Sequence, residues 1–422
     1  MIIMKQLQHL LVMKAIAVIA LLGSCSSYEE PAVPETTKST RSGVDPSLTY
    51  TPTEALSIAN NALSRKLPSS TAVKVTPLQA TRKELTSKLA SDTVAFIINY
   101  PGNNGFVVVA NDTRINPVIA YSNTGSISER DEVISALFFN KIQKYLANLS
   151  SSDIRTPSEI GSAPKRRFII EPQISIQLGP SKPFNKLLTE KKDIRYEDGS
   201  FNYDGIFHSF PVVNTVAIMA HAKKSLSFKG YFYDFEAINY AINQNEGWCP
   251  PIQPFYHYDR DAQFIYSQQG ALSAFNQLLY DFSTASLTQF KEDGTYTNPA
   301  WVYYALSNLD FSLTSFKSTS DESYNLSTLV SYLNTGYLLE LFGSISYNNG
   351  DTVPNILNHY VSMIVDGCDV EIDNSNQPVS GFLHCQVGAF DIGIGYFSFP
   401  ILLEDDQATC NFKNYFGVKI EE

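Results

Sequence analysis

Apolar and polar positions near the N-terminus predict a small unit of helices and strands. Apolar residues recur at helical spacing from Thr51 to Leu67, and Thr53 is a candidate helix cap. Strand-like runs follow at 94–100, 106–110 and 118–121, and residues 131–146 have the pattern of a second amphipathic helix. We therefore expect residues 48–150 to form an α+β module.

A second pattern begins after residue 167. It is helical to about residue 281 and then strand-rich, with apolar runs at 360–365, 381–387 and 396–401. This order predicts one α+β domain over residues 168–422. Residues 151–167 are polar, lack periodicity and end in three basic residues, so they predict a linker. The linker is either a target for proteolysis or an interdomain connection that is never cut.

Composition and charge narrow the class of protein. The 422 residues are 44% hydrophobic and 12% aromatic, as in a globular protein with room for two sizeable cores. The formal net charge is −11, and no basic patch is interleaved with aromatic residues. These features argue against a nucleic-acid partner.

The first 25 residues have the anatomy of a secretory signal peptide. A lysine and a short apolar run begin at Met13, and the run is too short to span a membrane. Residues 22–25 resemble a bacterial lipobox, in which cleavage precedes Cys25 and its thiol receives lipid. The alternative is an ordinary signal peptide with an incidental cysteine. Residues 26–47 predict a flexible tether, so we expect a secreted lipoprotein, anchored by lipid in the outer membrane or at the cell surface.

The other cysteines do not have the spacing of a metal site. Cys249, Cys368, Cys385 and Cys410 lie far apart, without a CxxC pair or a histidine at zinc spacing. We therefore predict no metal and no cofactor. Disulfides and free buried thiols both remain open for these residues.

Several motifs resemble the streptopain family of papain-like cysteine peptidases. The order EALSIA, FIINY and GFVVVANDTRINPVIAYSNTGSI is similar to the propeptide of that family. Later segments resemble its catalytic domain, including TVAIMAHAKK as the nucleophile helix, HYVSMIVDGCD as the histidine strand and FLHCQVGAFDIGIGYF as the late strand. The resemblance implies a small α+β propeptide-like domain followed by a papain-like domain. It also implies that the first domain docks on the second.

The nucleophile and oxyanion positions depart from the family pattern. Alignment on Val216 and Ala217 places Thr215 where the family has its cysteine. A threonine hydroxyl is far less acidic than a thiol, so a helix end and an imidazolium do not ionise it. The expected role of Thr215 or Asn214 is instead that of helix N-cap. Pro180 takes the oxyanion position and offers neither a side-chain donor nor an N–H.

The base and its partner also depart from the pattern. His359 precedes the strand that leads to Asp366, but counting back from Asp366 places the histidine position at Val361. His359 is therefore either a relic of the base or an unrelated surface histidine. Gln386 takes the position of the orienting asparagine, and the tryptophan that follows in the family is Val387 here.

We interpret these changes together as an inactive peptidase relative that binds a peptide or protein partner in the degenerate cleft. One alternative is an active peptidase with Thr215 as an unusual nucleophile or Cys249 as a relocated one. Another is that the N-terminal module inhibits a sister cysteine peptidase. A third is a carbohydrate-binding or adhesive lipoprotein that uses aromatic residues such as Trp248 and Trp301.

Overall fold

One antiparallel sheet runs through the parts of the chain that the structure describes, all of which lie within a single compact unit, Val44–Glu422. The structure is a computed structural model. It describes residues 48–63, 73–80, 92–128, 138–149, 166–174, 178, 208–236, 238–239, 268–291, 294–318, 325–345, 360–386, 394–399, 402 and 410–421. Four residues predicted to matter, Cys25, Pro180, Cys249 and His359, lie outside these ranges.

Six α-helices are described in these ranges. They are α1 (Pro52–Ala62), α2 (Asn140–Ala147), α3 (Phe210–Ala222), α4 (Gln268–Ala285), α5 (Pro299–Ser307) and α6 (Leu326–Asn334). Helix α1 begins with a capping box in which Thr51, and not the predicted Thr53, exchanges hydrogen bonds with Glu54. Its buried face carries Ala55 and Ala59, which pack on the sheet of the N-terminal module.

The described strands number fifteen. They are β1 (Lys74–Gln79), β2 (Thr93–Asn99), β3 (Phe106–Ala110), β4 (Val118–Ser122), β5 (Arg166–Ile170), β6 (Ser225–Phe228), β7 (Tyr231–Asp234), β8 (Gln289–Lys291), β9 (Gly294–Tyr296), β10 (Lys317–Ser318), β11 (Tyr337–Ile345), β12 (Tyr360–Ile372), β13 (Pro378–Gln386), β14 (Gly395–Ser398) and β15 (Cys410–Lys419).

The large sheet joins the two halves of the chain. Its strand order is β1-β2-β3-β4-β14-β13-β12-β11-β15-β10, and β5 also pairs with β12. The junction lies between β4 and β14, where Tyr121 is opposite Tyr396. The predicted α+β class is therefore confirmed for the described residues. Strands β2 and β3 are joined by a turn at Pro101–Asn103, in a Gly- and Asn-rich segment of the kind that forms turns.

Strand β5 is a difference from the expected organisation. The predicted linker extends to Arg167, whereas Arg166 and Arg167 already belong to β5 and pair with Ile372 and Glu371 of β12. Arg166 and Arg167 are exposed, and their charge is typical of a loop. Their backbone nevertheless pairs with a strand about 200 residues later in the chain.

The two faces of the sheet pack against different cores. Helix α3, together with α4 and α5, covers one face, where Leu338, Phe342 and Ile364 are buried. The other face carries Leu339, Met363 and Val365, together with α6 and residues of the N-terminal module. Alternation along β11 and β12 thus separates the side chains of the two cores. The polar residues discussed below lie on the α3 face.

Candidate functional site

Helix α3 begins earlier than the resemblance suggests. Ser209 is the N-cap residue, Pro211 lies in the first turn, and the N–H of Val213 donates to the carbonyl of Ser209 at 3.1 Å. Proline suits a first turn because its missing N–H would have no intrahelical partner there. Thr215 is therefore the sixth residue of the helix, and the prediction that Thr215 or Asn214 caps it is wrong.

Because Thr215 lies in the second turn of α3, it lacks two features that residues at the start of a helix have. The N–H groups without intrahelical partners belong to the first four residues, so the N–H of Thr215 is not free to bind a developing oxyanion. The favourable field of the helix end also falls off within the first turn. At about 1.5 Å rise per residue, Thr215 lies roughly 7 Å beyond that end.

The hydroxyl of Thr215 is fully buried and has two partners. Its Oγ1 lies 2.6 Å from the carbonyl oxygen of Pro211 and 2.7 Å from Oε2 of Glu340 on β11. A hydroxyl has one proton to donate. Burial raises the pKa of Glu340 to about 8, so its carboxyl keeps a proton at neutral pH. The consistent arrangement is that Thr215 donates to Pro211 while the Glu340 carboxyl donates to Thr215 Oγ1.

Two further polar residues complete this cluster, which we call the α3 polar cluster: Asn214, Thr215, Glu340 and Ser362. All four are inaccessible to solvent. The amide of Asn214 donates to the backbone oxygen and to the hydroxyl of Ser362, at 2.9 and 2.8 Å. Asn214 Oδ1 and Glu340 Oε1 are buried without a hydrogen-bond partner among the described residues. The α3 polar cluster therefore connects the helix to β11 and β12 at the centre of the fold.

The described hydrogen-bond partners of the Thr215 hydroxyl are the Pro211 carbonyl and the Glu340 carboxyl. The acidic group that contacts the hydroxyl is a neutral carboxyl at pH 7, which is no base for an alcohol. His221 is on the same helix, but six residues further along, and burial lowers its pKa. The described contacts of Thr215 therefore favour a structural role for its hydroxyl.

A second buried cluster is centred on Asp366. Its Oδ1 lies 2.6 Å from His384 Nδ1, and its Oδ2 accepts from the amide of Gln386 at 2.8 Å. The backbone N–H groups of Gln173 and Ile174 also donate to Oδ2, at 3.2 and 2.9 Å. Asp366 is completely buried, so these donors replace the water that a carboxylate would otherwise bind. The cluster fastens the segment after β5 to β12 and β13.

Gln386, which takes the position of the orienting asparagine in the family resemblance, belongs to this Asp366 cluster. Its amide nitrogen donates to Asp366 and to the carbonyl of Ile174, at 2.8 and 2.9 Å. These bonds account for both amide protons, so Gln386 could orient an imidazole only by accepting from its ring N–H with the amide oxygen. His359, the candidate imidazole, lies outside the described residues.

The described thiols are buried away from both clusters. Cys368 and Cys385 are free and belong to the core on the opposite face of the sheet. Burial raises the pKa of Cys368 to about 11 and raises that of Cys385 well above its ordinary value. Such thiols are poor nucleophiles. Cys410 begins β15, and Cys249 lies outside the described residues.

Metal ligands, membrane-spanning helices and exposed tryptophans are the other features that bear on function. Within the described ranges, no group of three or more histidine, cysteine or acidic side chains is arranged to hold a metal ion. In the same ranges, no helix is long and apolar enough to cross a membrane. Trp301 lies on α5 with 44% of its surface exposed, edge-on to Tyr304 at 6.0 Å between ring centroids. Trp248 is outside the described residues.

Sequence reasoning missed two residues that the structure places at these sites. Glu340 is a lone acid in the apolar run YLLELFGS, and an acid in such a run is a signal of a buried polar contact. His384 lies in the FLHCQVGAFDIGIGYF motif directly before Cys385, and the sequence assigns it no role. The structure instead places His384 against Asp366, which the sequence analysis used only to align the histidine strand.

The fold and these clusters define an α+β protein whose N-terminal module is continuous with the sheet of a larger domain. Residues 47–165 match the family model described as Spi protease inhibitor. This match confirms the predicted resemblance of the N-terminal module to the propeptide of streptopain-like enzymes. No curated protein matches the chain.

Several solved structures are similar to the chain, and one of them is described here. It is a fragment of prointerpain A from Prevotella intermedia, in a mutant form, with 13% sequence identity and a TM-score of 0.49. The similarity covers 82% of this chain and 98% of that fragment.

Proposed function

We propose that this protein is a non-catalytic relative of streptopain-type zymogens that acts by binding a peptide or protein partner. The observation that carries the proposal is the state of Thr215. It stands at the nucleophile position of the resemblance, yet it is buried inside α3 and hydrogen-bonded to Pro211 and Glu340. A peptidase nucleophile must reach a substrate carbonyl and be activated by a base.

The N-terminal signal supports binding by a lipid-anchored protein at the outer membrane or cell surface. Residues 22–25 resemble a lipobox, so the mature chain begins at Cys25 and is held by lipid at the outer membrane or cell surface. The 26–47 segment then spaces the folded unit from the membrane. Replacing Cys25 with serine in the producing cell is expected to abolish incorporation of labelled fatty acid. Undiminished labelling would contradict the anchor.

Peptide turnover and peptide binding test the catalytic part of the proposal separately. The chain from residue 26 is assayed with fluorogenic peptide libraries and with a peptide bearing a thiol-reactive electrophile. We expect no hydrolysis and no covalent labelling. Peptides selected on the immobilised protein from a phage-displayed library should bind it saturably. Turnover that disappears in Thr215→Ala or Cys249→Ala would establish an active peptidase instead.

A second function is favoured by the family match of residues 47–165, whose model is described as a protease inhibitor. In that case the N-terminal module inhibits a sister cysteine peptidase. The strand β4 that borders the module already pairs with β14 of the same chain. Inhibition in trans through that edge would require the pairing to open. Adding the full chain to a streptopain-type peptidase and measuring its rate distinguishes the cases, since a dose-dependent loss of rate supports the inhibitor.

A further inference from the structure

The strands on either side of the 151–167 segment both pair with strands of the larger domain. Strand β4 pairs with β14, and β5 pairs with β12 over five residues, from Arg166 to Ile170. Both β14 and β12 belong to the larger domain, whereas β4 precedes the 151–167 segment and β5 begins at its end. The chain therefore enters and leaves this segment from strands of the same sheet.

Side chains from three strands meet at the carboxylate of Asp369 on β12. Arg167 of β5 binds it with both ends of its guanidinium group, Nε to Oδ1 at 2.6 Å and a terminal nitrogen to Oδ2 at 2.5 Å. Tyr121 of β4 donates its hydroxyl to Oδ2 at 2.5 Å. Planar bidentate pairs of this kind are the stronger and more directional class of ion pair.

Burial and ring stacking stabilise the contact of Arg167 and Tyr121 with Asp369. Asp369 is almost buried, and the pKa of Tyr121 is raised by burial and by the carboxylate, so the phenol remains a donor across the physiological range. The ring of Tyr121 stacks on Tyr396 with centroids 4.8 Å apart and planes 8° apart. The hydrogen bonds and the stacked ring thus hold one tyrosine of the module against β12 and β14.

Side chains of the N-terminal module also pack into the same hydrophobic core as those of the larger domain. Phe138, just before α2, stacks on Phe397 of β14 with centroids 3.8 Å apart. The ammonium group of Lys141 is buried and donates to the carbonyl of Leu402 at 3.0 Å. One hydrophobic cluster contains residues of the module and residues of β11, β12 and β13. Separation would expose this apolar surface and a buried cation.

We propose that the hydrogen bond from Tyr121 to Asp369, with Arg167 holding the Asp369 carboxylate in position, forms a latch that keeps the N-terminal module attached to the larger domain even when the chain between them is cut. The same pairing withdraws the basic pair from proteolysis. Proteases bind an extended substrate backbone, and the backbone at Arg166 and Arg167 is already paired with β12. Cleavage within residues 151–165 is therefore not expected to release the module. This inference goes beyond the proposed function and does not depend on which partner is bound.

The test cuts the chain inside residues 151–165 at an inserted recognition sequence for a site-specific viral protease. After complete cleavage, the two fragments are expected to coelute from a size-exclusion column in native buffer at low micromolar concentration. Coelution should persist up to nearly the urea concentration that unfolds the uncut chain. Spontaneous separation of the fragments in native buffer would overturn the proposal.

A matched pair of variants assigns the effect to the latch. Arg167→Gln removes the bidentate pair that holds Asp369 in position for Tyr121, whereas Arg166→Gln removes a neighbouring arginine of the same strand whose side chain bonds Asn376 at 3.1 Å. The cut Arg167→Gln protein should release its module at least tenfold faster than the cut Arg166→Gln protein. Equal rates would show that Arg167 is not part of a latch.

A second variant and a second readout keep the result interpretable. Tyr121→Phe keeps the ring stack and removes the hydroxyl that contacts Asp369, so it should also accelerate release. It provides the comparison if Arg167→Gln does not fold. Peptide hydrolysis is measured on the same cut samples. Separation without hydrolysis overturns only the latch, whereas hydrolysis without separation overturns only the proposed function.

Discussion

Thr215 and Glu340 face each other across the interface between α3 and β11, with 2.7 Å between their oxygens and no exposure of either side chain to solvent. A thiol peptidase needs a charged pair at this point, a thiolate beside an imidazolium. This chain has a neutral pair, an alcohol beside a protonated carboxyl. The contact therefore stabilises the fold where the family resemblance places chemistry.

Glu340 should make stability fall as the pH rises. The folded state holds its proton up to a pKa of about 8, whereas the unfolded chain releases it near the ordinary value of 4.5. Between these values the native state binds more protons, so the free energy of unfolding declines with pH, by at most about 1.4 kcal/mol per pH unit for one proton. Glu340→Gln has no proton to lose and should flatten this decline. Urea unfolding at pH values from 5 to 8.5 measures it.

A control for Glu340→Gln comes from the adjacent strand. Glu371 of β12 is half-buried and bonded to Ser380, and Glu371→Gln leaves Glu340 unchanged. The Glu371→Gln variant should keep the wild-type dependence on pH. An unchanged slope in Glu340→Gln would mean that Glu340 is ionised in the folded protein.

Restoring a cysteine at position 215 is not expected to restore a peptidase. In Thr215→Cys the thiol would be buried beside a carboxyl and roughly 7 Å from the helix end, a setting that raises a thiol pKa instead of lowering it. We expect no peptide hydrolysis and no labelling by iodoacetamide at pH 8 in the folded state. Rapid labelling, or any turnover above the Thr215→Ala control, would contradict the structural role of this site.

The hydroxyl of Thr215 should matter more for stability than for activity. Thr215→Val keeps the shape of the side chain but leaves the buried carboxyl of Glu340 without this partner. An unsatisfied buried polar group costs about 1–3 kcal/mol. Thr215→Ser, which keeps the hydroxyl, should recover most of that loss. Equal stability of the valine and serine variants would show that the hydrogen bond contributes little.

The local patterns that are strong in the sequence agree with the structure. The run at 106–110 forms β3 with the predicted bounds, and the segment that contains residues 268–282 forms α4. Each of these elements is determined by a few adjacent residues, since strand alternation and helix periodicity are local properties. The family model then confirms the resemblance of the N-terminal module.

What could not be predicted depends on pairing between distant residues. The apolar run around Glu340 indicates a buried contact, but the proton on Glu340 follows from burial of β11 between β12 and β15, and those partner strands lie elsewhere in the chain. Strand β5 looked like a linker because Arg166 and Arg167 are charged, yet its partner lies on β12. The start of α3 was misplaced because the alignment was anchored on Val216 and Ala217 and not on the first-turn proline.

Asp366 is expected to be among the most sensitive polar positions that the structure describes. Asp366→Ala removes the acceptor for His384, Gln386 and two backbone N–H groups, all within the protein interior. Each buried donor left without its acceptor costs about 1–3 kcal/mol. Asp366→Asn retains one carbonyl acceptor and should cost less. Urea unfolding that gives the same stability for the alanine variant and wild type would contradict the proposed role of Asp366.

The close contact between Gly395 and Tyr121 offers a test of the junction that changes no charge. A Cβ atom at Gly395 would lie 2.8 Å from the carbonyl oxygen of Tyr121 and 3.1 Å from the ring of Phe106. Because the first contact is with backbone, β14 and β4 must move apart, and overpacking of this kind costs about 1–3 kcal/mol. Gly395→Ala should therefore lower the urea midpoint of the intact chain.

The same substitution should speed release of the module from the cut chain, because it acts where the module and the larger domain pair. Ser398→Ala provides the matched control, since Ser398 lies on the same strand and pairs with Phe382 of β13 instead of with the module. If Gly395→Ala lowers the midpoint without speeding release, the β4–β14 pairing contributes to folding but not to retention of the module. If both variants release it at the wild-type rate, retention depends on the Asp369 junction and the shared core alone.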